Sequence, residues 1–322
     1  MKAAVYHRTG PPEVLQYEDV PDPELRSSGV IVDVEAVSIE GGDVLNRAGG
    51  MMAGDPHIVG YQCAGTISQV GEKAAADGAA VGQRVVATMA FGSHAEKVAV
   101  PFAATWAVPE GADIVAVACV PVAFGTADDC LFEFGRLQAG ETVLVQAGAG
   151  GVGLAAIQLA KRAGATVLAT ASSDEKLAAL TDFGMDHGIN YRDNDAAEAA
   201  RALTDGRGVD LVVDPVGGST LAGSLRALAY RGRCITVGNA SRERTPLDVS
   251  SLMGGNQSLI GVFLGAEIAT PRARAMIASH IDDVAAGRLR VVVDRTFPLA
   301  EAAAAHEYIE SRQAVGRVVL IP

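Results

Sequence analysis

Cysteine is scarce in this chain, and its four members, Cys63, Cys119, Cys130 and Cys234, never form a CxxC pair. That excludes a structural zinc lobe and a disulfide framework, and the four read as buried free thiols. Positive charge is short as well. Lys plus Arg total 26 against 38 Asp plus Glu, a formal net charge of −12, which repels polyphosphate backbones and anionic surfaces and excludes nucleic acid or a membrane as the main partner. No uncharged apolar run is long enough for a membrane span, and MKAAVYHRTG has no long apolar stretch behind its lysine. The expected location is the cytoplasm. Internal repeats and low-complexity linkers are missing too. What the chain does have is 49% hydrophobic residues over 322 positions and 37 glycines, enough for two domains with real cores.

The most informative stretch is TVLVQAGAGGVGLAAIQLAKRAGATVLATASSDEK, Thr142 to Lys176. A strand over Val143 to Gln146 runs into Gly148, Gly150, Gly151 and Gly153, which open a helix whose N-terminal amides and dipole suit a pyrophosphate. Gly148 is expected to permit the tight turn, Gly150 and Gly151 to let the backbone approach phosphate oxygens, and Gly153 to let the helix pack on the sheet. Val152, Ala155, Ala156, Leu159 and Ala160 form its apolar stripe, with Lys161 and Arg162 at the negative end and Gly164 as the cap. A second strand, Thr166 to Thr170, completes a βαβ unit, so a nicotinamide dinucleotide is the expected cofactor.

Before about residue 115, short alternating runs broken by Gly and Pro (AAVYH, GVIVDVEAVSI, CAGTISQVG, GQRVVATMA) point to a β-rich, barrel-like region. Ile114 to Phe134 reads as one or two helices. From Thr142 strands alternate with helices: DEKLAALTDF, the strand VDLVVD, the helix STLAGSLRALAY and the strand RCITVG. This predicts an α/β fold with a doubly wound parallel sheet, whose sixth strand is SLIGVFLG, Ser258 to Gly265. Helices over Pro271 to Ala286 and Leu299 to Ser311 precede a last strand, GRVVLIP, expected to rejoin the N-terminal region.

Taken in order, MKAAVYHRTGPPEVLQYEDVPDPEL, SIEGGDVLNRAGG, AGAGGVG, INYRD, VGN and GRVVLIP resemble the zinc-free quinone oxidoreductases, the zeta-crystallin group of the medium-chain dehydrogenase/reductase superfamily. The resemblance covers nearly the whole chain. It implies a GroES-like β-barrel domain (1–118 and 266–322) interrupted by a doubly wound Rossmann domain (119–265), with the active site in the cleft between them and a homodimer formed through strand 258–265. It also implies cofactor contacts: Thr126 near the nicotinamide ribose, Gly150, Gly151 and Val152 at the pyrophosphate, Val216, Gly238, Asn239 and Phe263 along the nicotinamide half, and Arg317 closing the site. Some members carry Asn at the position of Glu40 and Tyr at that of Leu45, so substrate geometry does not transfer directly.

Zinc-dependent relatives place a Cys before an Asp in the first cleft loop and a His and Glu in a Gly-rich turn. The matching positions are Gly42 before Asp43, then Tyr61 and Gln62, so the expected enzyme uses no metal. Without a Lewis acid the acceptor must already be electrophilic, a quinone or a conjugated enone or enal, and the protein's task is positioning and water exclusion. Tyr61 is the candidate hydrogen-bond or proton donor to the acceptor oxygen; a tyrosine packed at the barrel edge is the alternative. NADPH is preferred over NADH, because the second strand runs out into Ala171, Ser172 and Ser173 without a carboxylate, Lys176 follows one turn later, and the resembling family uses Lys and Tyr, here Lys176 and Tyr191, to hold the 2′-phosphate. Asp174 and Glu175 are expected to point away. His94 is expected at a surface or strand end. The competing functions are an enoyl-thioester or 2-alkenal reductase and a non-catalytic NADPH-binding protein.

Overall fold

β-branched runs between Gly and Pro become short strands over the first third of the chain: β1 (Lys2–Tyr6), β2 (Gln16–Asp19), β3 (Gly29–Ser38), β4 (His57–Ile58), β5 (Gln62–Val70), β6 (Arg84–Thr88), β7 (Lys97–Pro101) and β8 (Thr105–Ala107). The computed structural model describes residues 1–322, and contacts divide them into Met1–Val122 with Ala269–Pro322 and a second unit, Ala123–Ile268. In the first unit β3 is the hub. It pairs antiparallel with β5 and β7, and Val30, Val32 and Val34 meet Ile67, Val85, Val98 and Val100 in one apolar core. A ten-residue strand with a valine at every second position from 30 to 34 buries one face continuously, which locks its register.

The helix Gly41–Gly49 leaves β3 at once, its first turn tied by the Glu40 N–H donating to Asp43 Oδ2 at 2.8 Å. Asp43 and Arg47, one turn apart on its inner face, are both buried completely.

The second unit holds six parallel strands: β9 (Thr142–Val145), β10 (Thr166–Ala171), β11 (His187–Asn190), β12 (Val209–Asp214), β13 (Leu228–Thr236) and β14 (Ser258–Gly261), ordered β11-β10-β9-β12-β13-β14. The chain moves outward from β9 to β11, then crosses to β12 and moves the other way. The order reverses between β9 and β12, so their C-terminal ends bound the crevice where such sheets take ligands. β9 is buried at every residue and β12 at all but one, as expected of strands covered by helices on both faces.

Two of the boundaries that differ from expectation have a clear physical cause. The helix expected to run to Tyr230 stops at Ala227, because Leu228 turns extended to pair with Val209 and is fully buried there. The sixth strand ends at Gly261 rather than Gly265: Phe263 is the cap of a short helix, Leu264–Glu267, so only four residues pair with β13. The apolar segment 114–134 becomes two helices, Ile114–Ala118 and Val120–Asp128, and a π-helical turn. Past the Pro271–Ala285 helix come β15 (Val293–Pro298) and β16 (Arg317–Ile321), and β16 pairs with β3 (Val319 opposite Ser38), so the tail completes the first unit's sheet. No helix is long and apolar enough to cross a membrane.

Candidate active site

At the end of β9 the backbone turns left-handed at Ala147, φ +52°, not at Gly148. Gly148 is needed for a different reason than a turn: a Cβ there would lie 2.9 Å from both Ala169 Cβ and a Leu180 methyl, too close for real contacts. Gly153 has the expected role, since a Cβ would sit 2.7 Å from the Gly148 Cα and closer still to the Ala147 carbonyl. Gly150 caps the Gly151–Arg162 helix from an extended, exposed position, which leaves the first amides of a twelve-residue helix open to an anion. Gly164, at φ +83°, ends it.

β10 and β11 run parallel with Ala171 opposite Asn190, so Ser172, Ser173 and Tyr191 leave the sheet side by side, and Lys176 lies in the first turn of the following helix. Ser173 Oγ accepts the Lys176 N–H at 3.4 Å, capping that helix. Asp174 behaves differently from expectation. Asp174 accepts a hydrogen bond from Asn190 Nδ2 at 3.1 Å, which holds its carboxylate at the end of β11 instead of pointing it away. Val216 follows β12 and its N–H donates to Asp214 Oδ1 at 2.8 Å. Gly238 and Asn239 follow β13; at Gly238 a Cβ would meet the Pro215 carbonyl at 2.7 Å, and Gly217, φ +72°, turns directly against Asn239 Oδ1. The ends of five neighbouring strands, β11, β10, β9, β12 and β13, thus bring most of the proposed cofactor residues to one edge. Phe263 lies beyond β14, 75% exposed, and Thr126 is buried in the Val120–Asp128 helix.

Tyr61 and Arg317 belong to the first unit. The Tyr61 ring rests on Gly42 so closely that a Cβ at residue 42 would overlap it; position 42, read as the place of a lost ligand, is the seat of the tyrosine. Burial, with the charges of Asp43, Tyr6 and Glu40, pushes the Tyr61 hydroxyl up to about 12, so it is a neutral donor at physiological pH. Arg317 is the first residue of β16 and neither solvated nor open. It donates to Glu40, to Ser38 Oγ at 2.7 Å and to the Ile39 carbonyl at 2.7 Å. Gln62 Nε2 donates to the same Glu40 oxygen at 2.5 Å, and Gln62 Oε1 accepts the Val122 N–H at 3.0 Å. Burial raises the Glu40 carboxyl, whereas Arg317 is held above its ordinary value by the Glu40 charge in spite of its own desolvation. The two directions disagree about the pair, and the direct guanidinium contact and two further donors decide for an ionised Glu40. Asp43 next door is pushed well up, first by burial and then by the Glu40 charge, against the hydrogen bond from Glu40 N–H.

His94 is buried, not at the surface: its Nε2 lies 3.1 Å from His306 Nε2, and burial lowers both rings, His94 to about 3. Sequence reasoning missed this pair and the Glu40–Arg317–Gln62 network. The available signal was charge inside apolar runs, Glu40 after AVSI and Arg317 before VVLI. No group of three or more His, Cys, Asp or Glu side chains is placed to hold a metal ion.

Family models match two segments: residues 26–110 as an alcohol dehydrogenase GroES-like domain and residues 151–279 as a zinc-binding dehydrogenase. The chain is 34% identical over 337 residues to a 2-haloacrylate reductase of a Burkholderia species, covering 99% of this chain and 98% of that one. It is 33% identical over 317 residues to a quinone oxidoreductase of Pseudomonas aeruginosa, covering 97% of each. Among solved structures, the Escherichia coli quinone oxidoreductase complexed with NADPH superposes with a TM-score of 0.94 at 28% identity over 100% of both chains. A mycobacterial protein complexed with NADPH does so at 0.94 and 34%, again over 100% of both. The second family description implies zinc, and the residues present do not fit it: Gly42 has no side chain, Tyr61 is held protonated, and the Gln62 amide is spent on Glu40 and Val122.

Proposed function

We propose that this chain, which belongs to the quinone oxidoreductase branch of the medium-chain dehydrogenase/reductase superfamily and is an NAD(P)H-dependent oxidoreductase, moves hydride from NADPH to a quinone or a related conjugated carbonyl without a metal. The observation that carries this reading is the set of side chains at Gly42, Tyr61 and Gln62: one neutral hydroxyl donor and no cation ligand, in a chain that also carries a complete dinucleotide fingerprint. A hydroxyl donor stabilises charge developing on an acceptor oxygen, but does not polarise a simple ketone as a Lewis acid does. Acceptors that delocalise the incoming charge themselves, to a hydroquinone anion or an enolate, suit such a site. NADPH is favoured by Ser172, Ser173, Lys176 and Tyr191 leaving adjacent strand ends together; the Asp174 carboxylate beside them reduces the margin. The likeness to a 2-haloacrylate reductase favours conjugate reduction as the second reading. NADPH oxidation measured with 1,4-benzoquinone, a 2-alkenal and crotonyl-CoA, before and after dialysis against a strong chelator, tests both. Fastest turnover with the quinone, unchanged by the chelator, is expected. Turnover with crotonyl-CoA alone, or activity lost with a removed metal, overturns the reading.

A further inference from the structure

Four buried polar side chains form one unbroken hydrogen-bonded line along the C-terminal edge of the parallel sheet. The Ala147 N–H donates to Thr170 Oγ1 at 3.0 Å, and the Thr170 hydroxyl donates to Gln146 Oε1 at 2.8 Å. Gln146 Nε2 donates to Ser224 Oγ at 3.1 Å, and the Ser224 hydroxyl donates to Asp214 Oδ2 at 2.7 Å. Asp214 Oδ1 then accepts the N–H groups of Val216 and Gly217 at 2.8 and 2.9 Å. None of the four side chains' residues is more than 3% exposed. Every donor points toward the Asp214 carboxylate, and only this orientation of the Gln146 amide leaves the Ser224 hydroxyl free to give Asp214 its third donor.

At both ends of the line the backbone turns through the left-handed region. Ala147 is a non-glycine residue at φ +52°, and Gly217 turns at φ +72° into the helix that carries Ser224. Backbone bonds extend the tie further: Val237 N–H donates to the Asp214 carbonyl at 3.0 Å, and Ser241 N–H to the Val216 carbonyl at 2.9 Å. The end of β10 and the loops after β9 and β12 are thus joined through side chains that would be replaceable by valine or leucine if filling the core were their only task, and the loop after β13 through backbone bonds. A fully satisfied buried polar network specifies one arrangement where an apolar core tolerates several.

We infer that Thr170, Gln146, Ser224 and Asp214 are positioning residues that set the glycine turn and the Val216–Gly217 loop as one unit, so that the pyrophosphate contact and the placement of the nicotinamide are coupled. This rests on the dinucleotide reading above. The test uses Thr170→Val and Asp214→Asn, at opposite ends of the line, with Thr170→Ser as the conservative rescue. Three probes report separately: adenosine 2′,5′-bisphosphate for the adenine half, 2′-phospho-ADP-ribose for the pyrophosphate, and the single-turnover rate of hydride transfer from NADPH to 1,4-benzoquinone.

Thr170→Val is expected to slow hydride transfer about tenfold, and Asp214→Asn to weaken 2′-phospho-ADP-ribose about tenfold, each about the worth of one buried hydrogen bond. Adenosine 2′,5′-bisphosphate should stay within about twofold, Thr170→Ser should match the unaltered protein, and the double variant should be no worse than its worse single. Multiplying effects in the double variant, or lowered urea stability with hydride transfer unchanged, would overturn the coupling. Should Thr170→Val fail to fold, Ser224→Ala cuts the line in its middle and carries the same expectations. Unaltered protein that binds no NADPH defeats both this inference and the function it rests on; binding with purely local mutant effects defeats this inference alone.

Discussion

Replacing Glu40 by Gln removes the charge that most strongly compensates the buried Arg317, ahead of its neighbours Cys119 and Asp43. Glu40 is 4% exposed and Arg317 8%, and the other partners of the guanidinium, among them the Ser38 hydroxyl and the Ile39 carbonyl, carry no full charge. Removing one member of a buried pair costs about 3 to 5 kcal/mol, because the other charge stays buried. Gln keeps the shape and one acceptor for Arg317, so the lower figure, about 3 kcal/mol, applies. With a urea slope of about 2 kcal/mol/M, the midpoint should fall by about 1.5 M. The chain has a single tryptophan, Trp106 in β8, whose Nε1 donates to the Arg274 carbonyl at 3.0 Å. Its fluorescence therefore reports unfolding of the unit that holds the pair. Adding Arg317→Met to Glu40→Gln should restore at least half of the loss, since no unpaired charge then remains. A midpoint shift below about 0.3 M, or a double variant as unstable as the sum of its singles, would refute an ionised, energetically coupled pair.

Lys176→Ala should raise the Kd for NADPH roughly tenfold to a hundredfold and leave NADH unchanged, the worth of one charge-assisted contact; equal losses for the two cofactors would show that the phosphate site is elsewhere. Tyr61→Phe should lower kcat for a 2-alkenal more than for 1,4-benzoquinone, whose product anion stabilises itself, and identical kinetics with both acceptors would remove Tyr61 from the chemistry. The His94–His306 pair makes an acid-side prediction. Because burial depresses both pKa values in the folded state, the pair's contribution is complete above the ordinary value of 6.5 and is lost as pH falls toward about 3. The Trp106-monitored midpoint should fall with pH in that window, less steeply in His306→Gln; a slope unaffected by His306→Gln would discount the pair. Finally, β14 is an edge strand with Phe263 exposed beyond it, so sedimentation should report two 33.0 kDa chains, and a single-chain mass would contradict pairing through this edge.

Local rules sufficed for much of this protein. The glycine fingerprint, the Gly164 stop and the alternation of strand and helix after Thr142 depend on interactions within a few residues, so they could be read along the chain; the family followed from the order of such motifs. Even there the neighbours assigned the reasons: Gly148 is small because Ala169 and Leu180 press on it, and the left-handed turn fell to Ala147. Helix propensity could not foresee that Leu228 would be drawn into pairing with Val209. The long-range polar pairings were out of reach altogether. Glu40 meets Arg317 across 277 residues and His94 meets His306 across 212, and no periodicity or spacing encodes which buried polar group will face which. For Arg317 that choice is made only when β16 returns to pair with β3 and buries the guanidinium beside Glu40, where an unpaired charge would be costly.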